Sequence, residues 1–398
     1  MIPYYSPHFG MLDFLKSIFQ QSELELIGFF QELTGKEHIL ITASCRSALY
    51  LAYKCIGKTG VVHTSPLTCK VAVLPILAAG HQVCFHDVKQ NDWTLDPNHL
   101  SKGLNKDSVA IQATHLGGFP CDMPSLKKLA DENGIFLIED CAQGFGSIYQ
   151  GIPTGTFGDV ACFTLTKNVF GLGGGIFATN QRDIYENAKS LQAGFSKESK
   201  LKVAARMVNA ILSTNRIFPV FKQIHTGMVN AKQRHLSRTV KNEDNSISKE
   251  LKQPPGIYAG SVVSRITKIL ELNSKRARAA VQLIRMLEPL GFRFQTNPDS
   301  VSSFTKLFCW HPQITSPEAI RKLKDTGVEA MHLEHRQGVY YQPKLILVDK
   351  YSCNLKSETF TIYNTLHDHL ISIPLLEDMP VHYKKKIRDT LGGIIDAR

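Results

Sequence analysis

Residues 108–140, "SVAIQATHLGGFPCDMPSLKKLADENGIFLIED", read as strand, helix, strand. SVAIQAT is an apolar run of strand length, and DMPSLKKLADENG carries a helical pattern that stops at Gly134. IFLIED is a continuous apolar strand that ends on two carboxylates, Glu139 and Asp140. A strand without polar alternation is buried on both faces, as in parallel sheets covered by helices. The pattern continues outward. Upstream, HILIT (38–42) runs into ASCRSALYLAYKCIG, where Ser44 is placed to cap a helix that closes at Gly57. GVVHT then leads into LTCKVAVLPILAAG, which ends at Gly80 before QVCFHDV; downstream come VACFTL and GIFATN. The chain is expected to be α/β, built on a mostly parallel sheet.

Composition narrows the class. At 398 residues, 43% hydrophobic and 20% charged, the chain can bury a large core and is long enough for two domains. No apolar run approaches the ~20 residues of a transmembrane helix. The start, MIPYYSPHFGMLDF, has neither a basic nor a long apolar region, so no secretory signal is expected. Nine cysteines lie scattered in strand-like runs without a CxxC pair, which points to reduced thiols in a cytoplasmic protein. The same spacing gives no metal site. The net charge of +11 is uneven: between Glu198 and Glu243 there is no acidic residue, and nine Lys and Arg. Residues 199–242 read either as a basic amphipathic element for an anionic membrane surface or as an inserted helical pair with a solvated basic face. No nucleic-acid-binding motif accompanies the charge, so no nucleic acid partner is expected.

In parallel sheets ligands gather at the carboxyl ends of the strands. Those ends hold Ser44 to Ser47, Asp140 to Gln143, and the approach to Lys167 in FTLTKNVFGLGGG (163–175). This last stretch is not a Walker A loop, because its lysine precedes the glycines, and Ile176 breaks the GxGxxG pattern. A helix start that can hold a phosphate, a buried carboxylate and a lysine are together what pyridoxal phosphate requires. Singly, each has a plainer reading: a capping serine, a turn aspartate, a surface lysine.

The run from HLGGFPCDM to TKN (115–168), with IEDCAQGFG, GTFGDVACF and TKN in order, resembles the DegT/StrS family of nucleotide-sugar aminotransferases. TASCRSALYLA and SPLTCKVAVLPILAAGHQVCFHDV look like that family's phosphate segment and the helix and strand after it. GVYYQPKLILVDKY and LISIPLLEDMPVHYKKKIRDTL resemble its closing segments. The likeness covers most of residues 1–180 and 256–398. It implies a fold-type I pyridoxal phosphate-dependent transferase: a three-layer large domain over 1–255, with the basic helical insertion at about 197–252, and a smaller C-terminal α+β domain over 256–398. Lys167 would then be the Schiff-base lysine, and Asp140 the partner of the pyridine nitrogen. Gln143 would lie beside the ring's phenolic oxygen, Thr164 at the phosphate-binding Ser position, and Cys69 at the position of a ring-stacking aromatic. Arg46 and Ser47 would hold the phosphate, and the glycines would keep side chains from crowding the cofactor. Catalysis would rest on Lys167 and Asp140.

The chain departs from that pattern in places. CFTLTKN is two residues shorter than the family's segment, Arg46 replaces a Thr, Cys69 an aromatic, and Gly174 an acid. The motif by which a neighbouring subunit completes the family's site has no counterpart. The resemblance implies transfer of an amino group from an amino acid, glutamate above all, to a keto-sugar nucleotide in a cytoplasmic homodimer, for surface-polysaccharide or antibiotic sugars. A non-nucleotide keto acceptor of cyclitol type, or a cofactor-binding regulatory protein without turnover, stay open beside it.

Overall fold

The computed structural model describes residues 22–214, 251–332, 352–354 and 360–397. The distal part of the basic stretch (215–250) and the closing segment GVYYQPKLILVDKY (338–351) lie outside the described residues.

An eight-stranded sheet forms the centre. Its strands are β1 (His38–Thr42), β2 (Val61–Thr64), β3 (Gln82–Phe85), β4 (Ser108–Thr114), β5 (Phe136–Asp140), β6 (Val160–Thr164), β7 (Gly175–Thr179) and β8 (Ser352–Asn354). They lie in the order β1-β7-β6-β5-β4-β2-β3-β8. All pairs are parallel except those of β7, which runs antiparallel to both β1 and β6. The unbroken apolar runs are buried along their length in β2, β4, β6 and β7, as a sheet covered on both faces requires. The expected α/β class and mostly parallel sheet hold.

The helices start and stop where local chemistry says they should. Ser44 accepts a hydrogen bond from the Ser47 N–H at 3.1 Å and so caps the helix Cys45–Lys54. Asp122 caps Met123–Asn133 through the Ser125 N–H, and Gly134 ends that helix in the left-handed conformation, φ 59°. Register then lines up the strand ends. Thr114 pairs with Asp140, Asp140 with Cys162, and Gly175 lies between Thr42 and Thr164. Because β7 is antiparallel, its first residue sits at the same end of the sheet as the last residues of its neighbours.

A second, antiparallel sheet comes from the C-terminal part: Arg293–Phe294, Leu307–Trp310, Leu370–Ile373 and Met331–His332, in that order. It packs with the helices Ile269–Leu287, Ser316–Asp325 and Val381–Ile395 around a core containing Leu283, Leu307, Ile320, Ile371 and Leu391. Residues beyond 255 also serve the first core. The helix Ile257–Ile266 places Ala259, Val262 and Ile266 against Leu26, Phe30 and Phe163, and β8 extends the central sheet. No described helix is long and apolar enough to cross a membrane.

Candidate active site

A cavity of about 450 Å³ opens at the carboxyl end of the central sheet. Its wall brings together Arg46, Cys69, Asp140, Gln143, Thr164 and Lys167, six of the seven residues singled out in the sequence. Ser47 is the exception: it is buried one turn into the helix, its N–H and hydroxyl both directed at Ser44. Ser44 itself lines the cavity in its place.

Asp140 is 4% exposed and ends β5. Its Oδ1 accepts the Ala142 N–H at 3.0 Å and stands 3.9 Å from the Cys45 thiol, and its Oδ2 faces the Thr114 hydroxyl at 3.5 Å. Thr114 in turn lies 3.2 Å from the Thr68 hydroxyl. Burial pushes the Asp140 carboxyl above its usual range, against the opposing pull of Lys167. Lys167 itself is half-buried on the loop that leaves β6. Gln143 uses its amide oxygen on the Gly117 N–H at 3.1 Å, which leaves its NH₂ group for the cavity it lines. Arg46 is the second residue of the helix that Ser44 caps, and burial lowers its guanidinium's pKa.

The glycines after Lys167 do something other than clear space for a ligand. A Cβ on Gly171 would stand 2.4 Å from Val262 Cγ1, and one on Gly173 would stand 2.4 Å from the Tyr258 ring. On Gly175 it would stand 2.4 Å from both the Ser44 carbonyl carbon and the Cys45 nitrogen. Gly174, at φ 98°, donates its N–H to the Ala43 carbonyl at 3.1 Å. The run therefore lets β7 enter the sheet against the helix start and beneath Tyr258. The expected role against crowding of a cofactor is replaced by close packing of protein on protein, a tertiary fact that no local pattern carries. GTFGD (155–159) is similar. Gly155 and Gly158 donate to the buried Glu139 at 2.8 and 2.6 Å, and Asp159 accepts the Leu137 N–H at 2.8 Å.

The sequence reading did not single out Thr68 or Thr114; from the basic insertion, which it took as able to help hold a diphosphate, Lys202, Arg206 and Lys252 line the same cavity together with Glu198. Thr114 had a signal, since it closes SVAIQAT and strand ends carry ligands. Arg206 pairs there with Glu198 at 3.4 Å and donates to the Tyr258 hydroxyl.

The donor set fits a pyridoxal phosphate. It offers a helix start for the phosphate, a buried carboxylate with acceptor capacity left, an amide NH₂ beside it, and an amine in the same wall. The chain belongs to the DegT/DnrJ/EryC1/StrS aminotransferase family, whose model matches residues 21–247. It is 32% identical over 183 residues to the spore coat polysaccharide biosynthesis protein SpsC of Bacillus subtilis (strain 168), covering 45% of this chain and 46% of that protein. To the GDP-perosamine synthase of Escherichia coli O157:H7 it is 31% identical over 161 residues, 39% of this chain and 44% of that one. The chain thus spans less than half the length of these curated relatives. Among solved structures, the aminotransferase TlmJ from Streptoalloteichus hindustanus superposes with a TM-score of 0.77 at 17% identity, over 100% of this chain and 99% of that one. That likeness extends the shared fold across both sheets.

Proposed function

We propose that the protein is a pyridoxal phosphate-dependent aminotransferase that moves an amino group from an amino acid, glutamate first among candidates, to a keto group on a nucleotide-activated sugar. The observation that carries this reading is the convergence of Lys167, Asp140 and the Ser44–Arg46 helix start on one cavity, within a chain of this family.

When bound, pyridoxal phosphate supplies an electron sink and a carbonyl that takes up the amine and hands it on. The chain's own residues do the rest. Arg46 and the N–H groups at the helix start hold a dianion, with the positive end of the helix dipole behind them. Asp140, ionised, would keep a proton on the ring nitrogen, with the Thr114 hydroxyl beside its Oδ2. The Gln143 NH₂ would donate to the ring oxygen. Lys167 Nζ would take a proton from the donor's Cα as general base and give it back two atoms along as general acid. Lys202, Arg206 and Lys252 put positive charge at the mouth, where a diphosphate would lie.

The GDP-perosamine synthase and the UDP-4-amino-4,6-dideoxy-N-acetyl-beta-L-altrosamine transaminase of Campylobacter jejuni are nucleotide-sugar enzymes by name, and support the acceptor class here. A homodimer and cytoplasmic residence belong to the same proposal. Cysteines not joined in disulfides, at Cys45, Cys55, Cys69, Cys84, Cys121, Cys141, Cys162 and Cys309, support the second. A contact with an anionic membrane through 199–242 draws on Leu201 and Val208, 80% and 56% exposed on the basic helix Lys200–Thr214. Liposome co-sedimentation with and without that segment tests it.

The deciding experiment is an absorbance spectrum of the protein with pyridoxal phosphate, then with glutamate. A visible band that glutamate bleaches, and that Lys167→Ala lacks, is the expected result. A band that persists in Lys167→Ala, or no band at all, removes the assignment.

A further inference from the structure

Lys167 has one neighbour that faces solvent, Thr166, and one that does not: Asn168 is 1% exposed. A buried amide is costly unless its polar atoms are matched. Asn168 Nδ2 donates to the Phe145 carbonyl at 3.1 Å, and its Oδ1 lies 2.9 Å from the Thr305 hydroxyl. That hydroxyl also lies 2.6 Å from the Gln143 carbonyl, so its single proton is shared between the two acceptors. The Asn168 carbonyl accepts from Arg276 Nη1 at 3.4 Å.

Arg276 is itself 4% exposed. Its Nη1 meets Glu377 at 3.1 Å, its Nε reaches the Ser303 carbonyl at 3.3 Å, and its Nη2 donates to Asn273. Asn273 closes the circuit by donating to the same Phe145 carbonyl at 3.1 Å. Three pieces of chain meet at this point: the loop bearing Lys167, the loop Asp140–Phe145 bearing the cavity's carboxylate and Gln143, and residues 273–377 of the C-terminal part.

We propose that Asn168 is a positioning residue, which sets where the Lys167 amine stands relative to Asp140 and Gln143, and that Thr305 and Arg276 make this placement depend on docking of the C-terminal part. The inference rests on Lys167 being the chemically active amine. The physical reason is leverage. A lysine has a long flexible stem, so the place of its Cα decides which atoms the amine can reach, and the loop beyond it is rich in glycine. Asn168 ties that Cα directly to the loop holding the other reacting groups. Sequence reading sees only the N of TKN; the partners lie 23 to 137 residues away.

The test uses Asn168→Ala and Thr305→Val, the second of which removes one hydroxyl at nearly constant shape. In the protein loaded with pyridoxal phosphate, kcat of the glutamate half-reaction should fall by about 10- to 100-fold in Asn168→Ala, with KM within about threefold, the pattern of misplaced groups. The pH midpoint of the visible band should move. Thr305→Val should do the same to a lesser degree. In cofactor-free protein, acetic anhydride labelling of Lys167, read by peptide mass across pH, should change in rate in both variants while other lysines keep theirs. Parent-like kcat, midpoint and labelling in both, or a drop in Tm alone, would overturn the proposal. If Asn168→Ala does not fold, Thr305→Val decides. If the parent forms no visible band, the assignment of function fails, and the labelling still tests the placement of Lys167.

Discussion

Glu139 and Asp140 leave the same strand one residue apart, toward opposite faces of the sheet. On one face Glu139 is completely buried and saturated. It accepts from Gly155 and Gly158, and from His115 Nε2 at 3.3 Å, whose Nδ1 accepts the Cys121 N–H and so leaves the ring proton on Nε2. On the other face Asp140 has one backbone donor at 3.0 Å, two weaker contacts and an open cavity. The pKa directions follow. For Glu139, burial pushes up, but the His115 and glycine hydrogen bonds outweigh it and leave the carboxyl below its usual range. For Asp140 burial wins. Burial and a charge are common to both; what separates a structural carboxylate from a functional one is unused acceptor capacity facing a space that a ligand can enter.

The comparison breaks most sharply at Asp140→Asn. Turnover should fall by about 10²–10³-fold, the scale of one lost electrostatic stabiliser, yet the cofactor-free protein should gain stability at neutral pH. The sign is this: a folded pKa raised above the unfolded value means the native state binds more protons, so stability drops as pH rises through that window. The neutral amide escapes the drop. Thermal melts of both proteins from pH 4 to 8 should separate upward through the raised carboxylate range; a less stable Asn variant at neutral pH would contradict the reading of Asp140.

Glu139→Gln should do the reverse. A lowered folded pKa contributes stability above the unfolded value and loses it as pH falls through the folded one. Replacing this carboxylate should cost about 1.5–3 kcal/mol at pH 7, the worth of hydrogen bonds to a charged group, with the cost fading in acid. Urea unfolding at pH 7 and pH 4 measures it, and equal losses at both would show that charge is not what the glycines hold.

Gly175→Ala sharpens the same contrast from outside the strand. Its Cβ would meet backbone, which cannot swing aside, so about 1–3 kcal/mol of stability should be lost. Cofactor affinity, read by titration of the visible band, should weaken because the helix start is displaced. Unchanged affinity at reduced stability would separate the sheet from the phosphate site.

Much of this was legible in the linear text. Period and capping gave the strand and helix order, because apolar continuity and caps such as Ser44, Asp122 and Gly134 act over a few residues. Lys167, Asp140 and Gln143 were legible as motif residues at strand ends. Ser44 lines the cavity and Ser47, three positions on, turns its N–H and hydroxyl to Ser44, a difference two serines at one helix start do not show in sequence. That Glu198, Lys202, Arg206 and Lys252 share one cavity wall was not legible, because 46 residues separate Arg206 from Lys252 and only folding brings them together.

By itself the sequence determined the layer architecture and the candidate site residues, both consequences of local periodicity and residue chemistry. Tertiary structure alone decided which carboxylate faces the cavity with acceptors to spare, what the glycines admit, and how Asn168 is held from the far end of the chain. Those depend on which atoms fill the space around each group, and that space is made by segments from 16 to 137 residues apart.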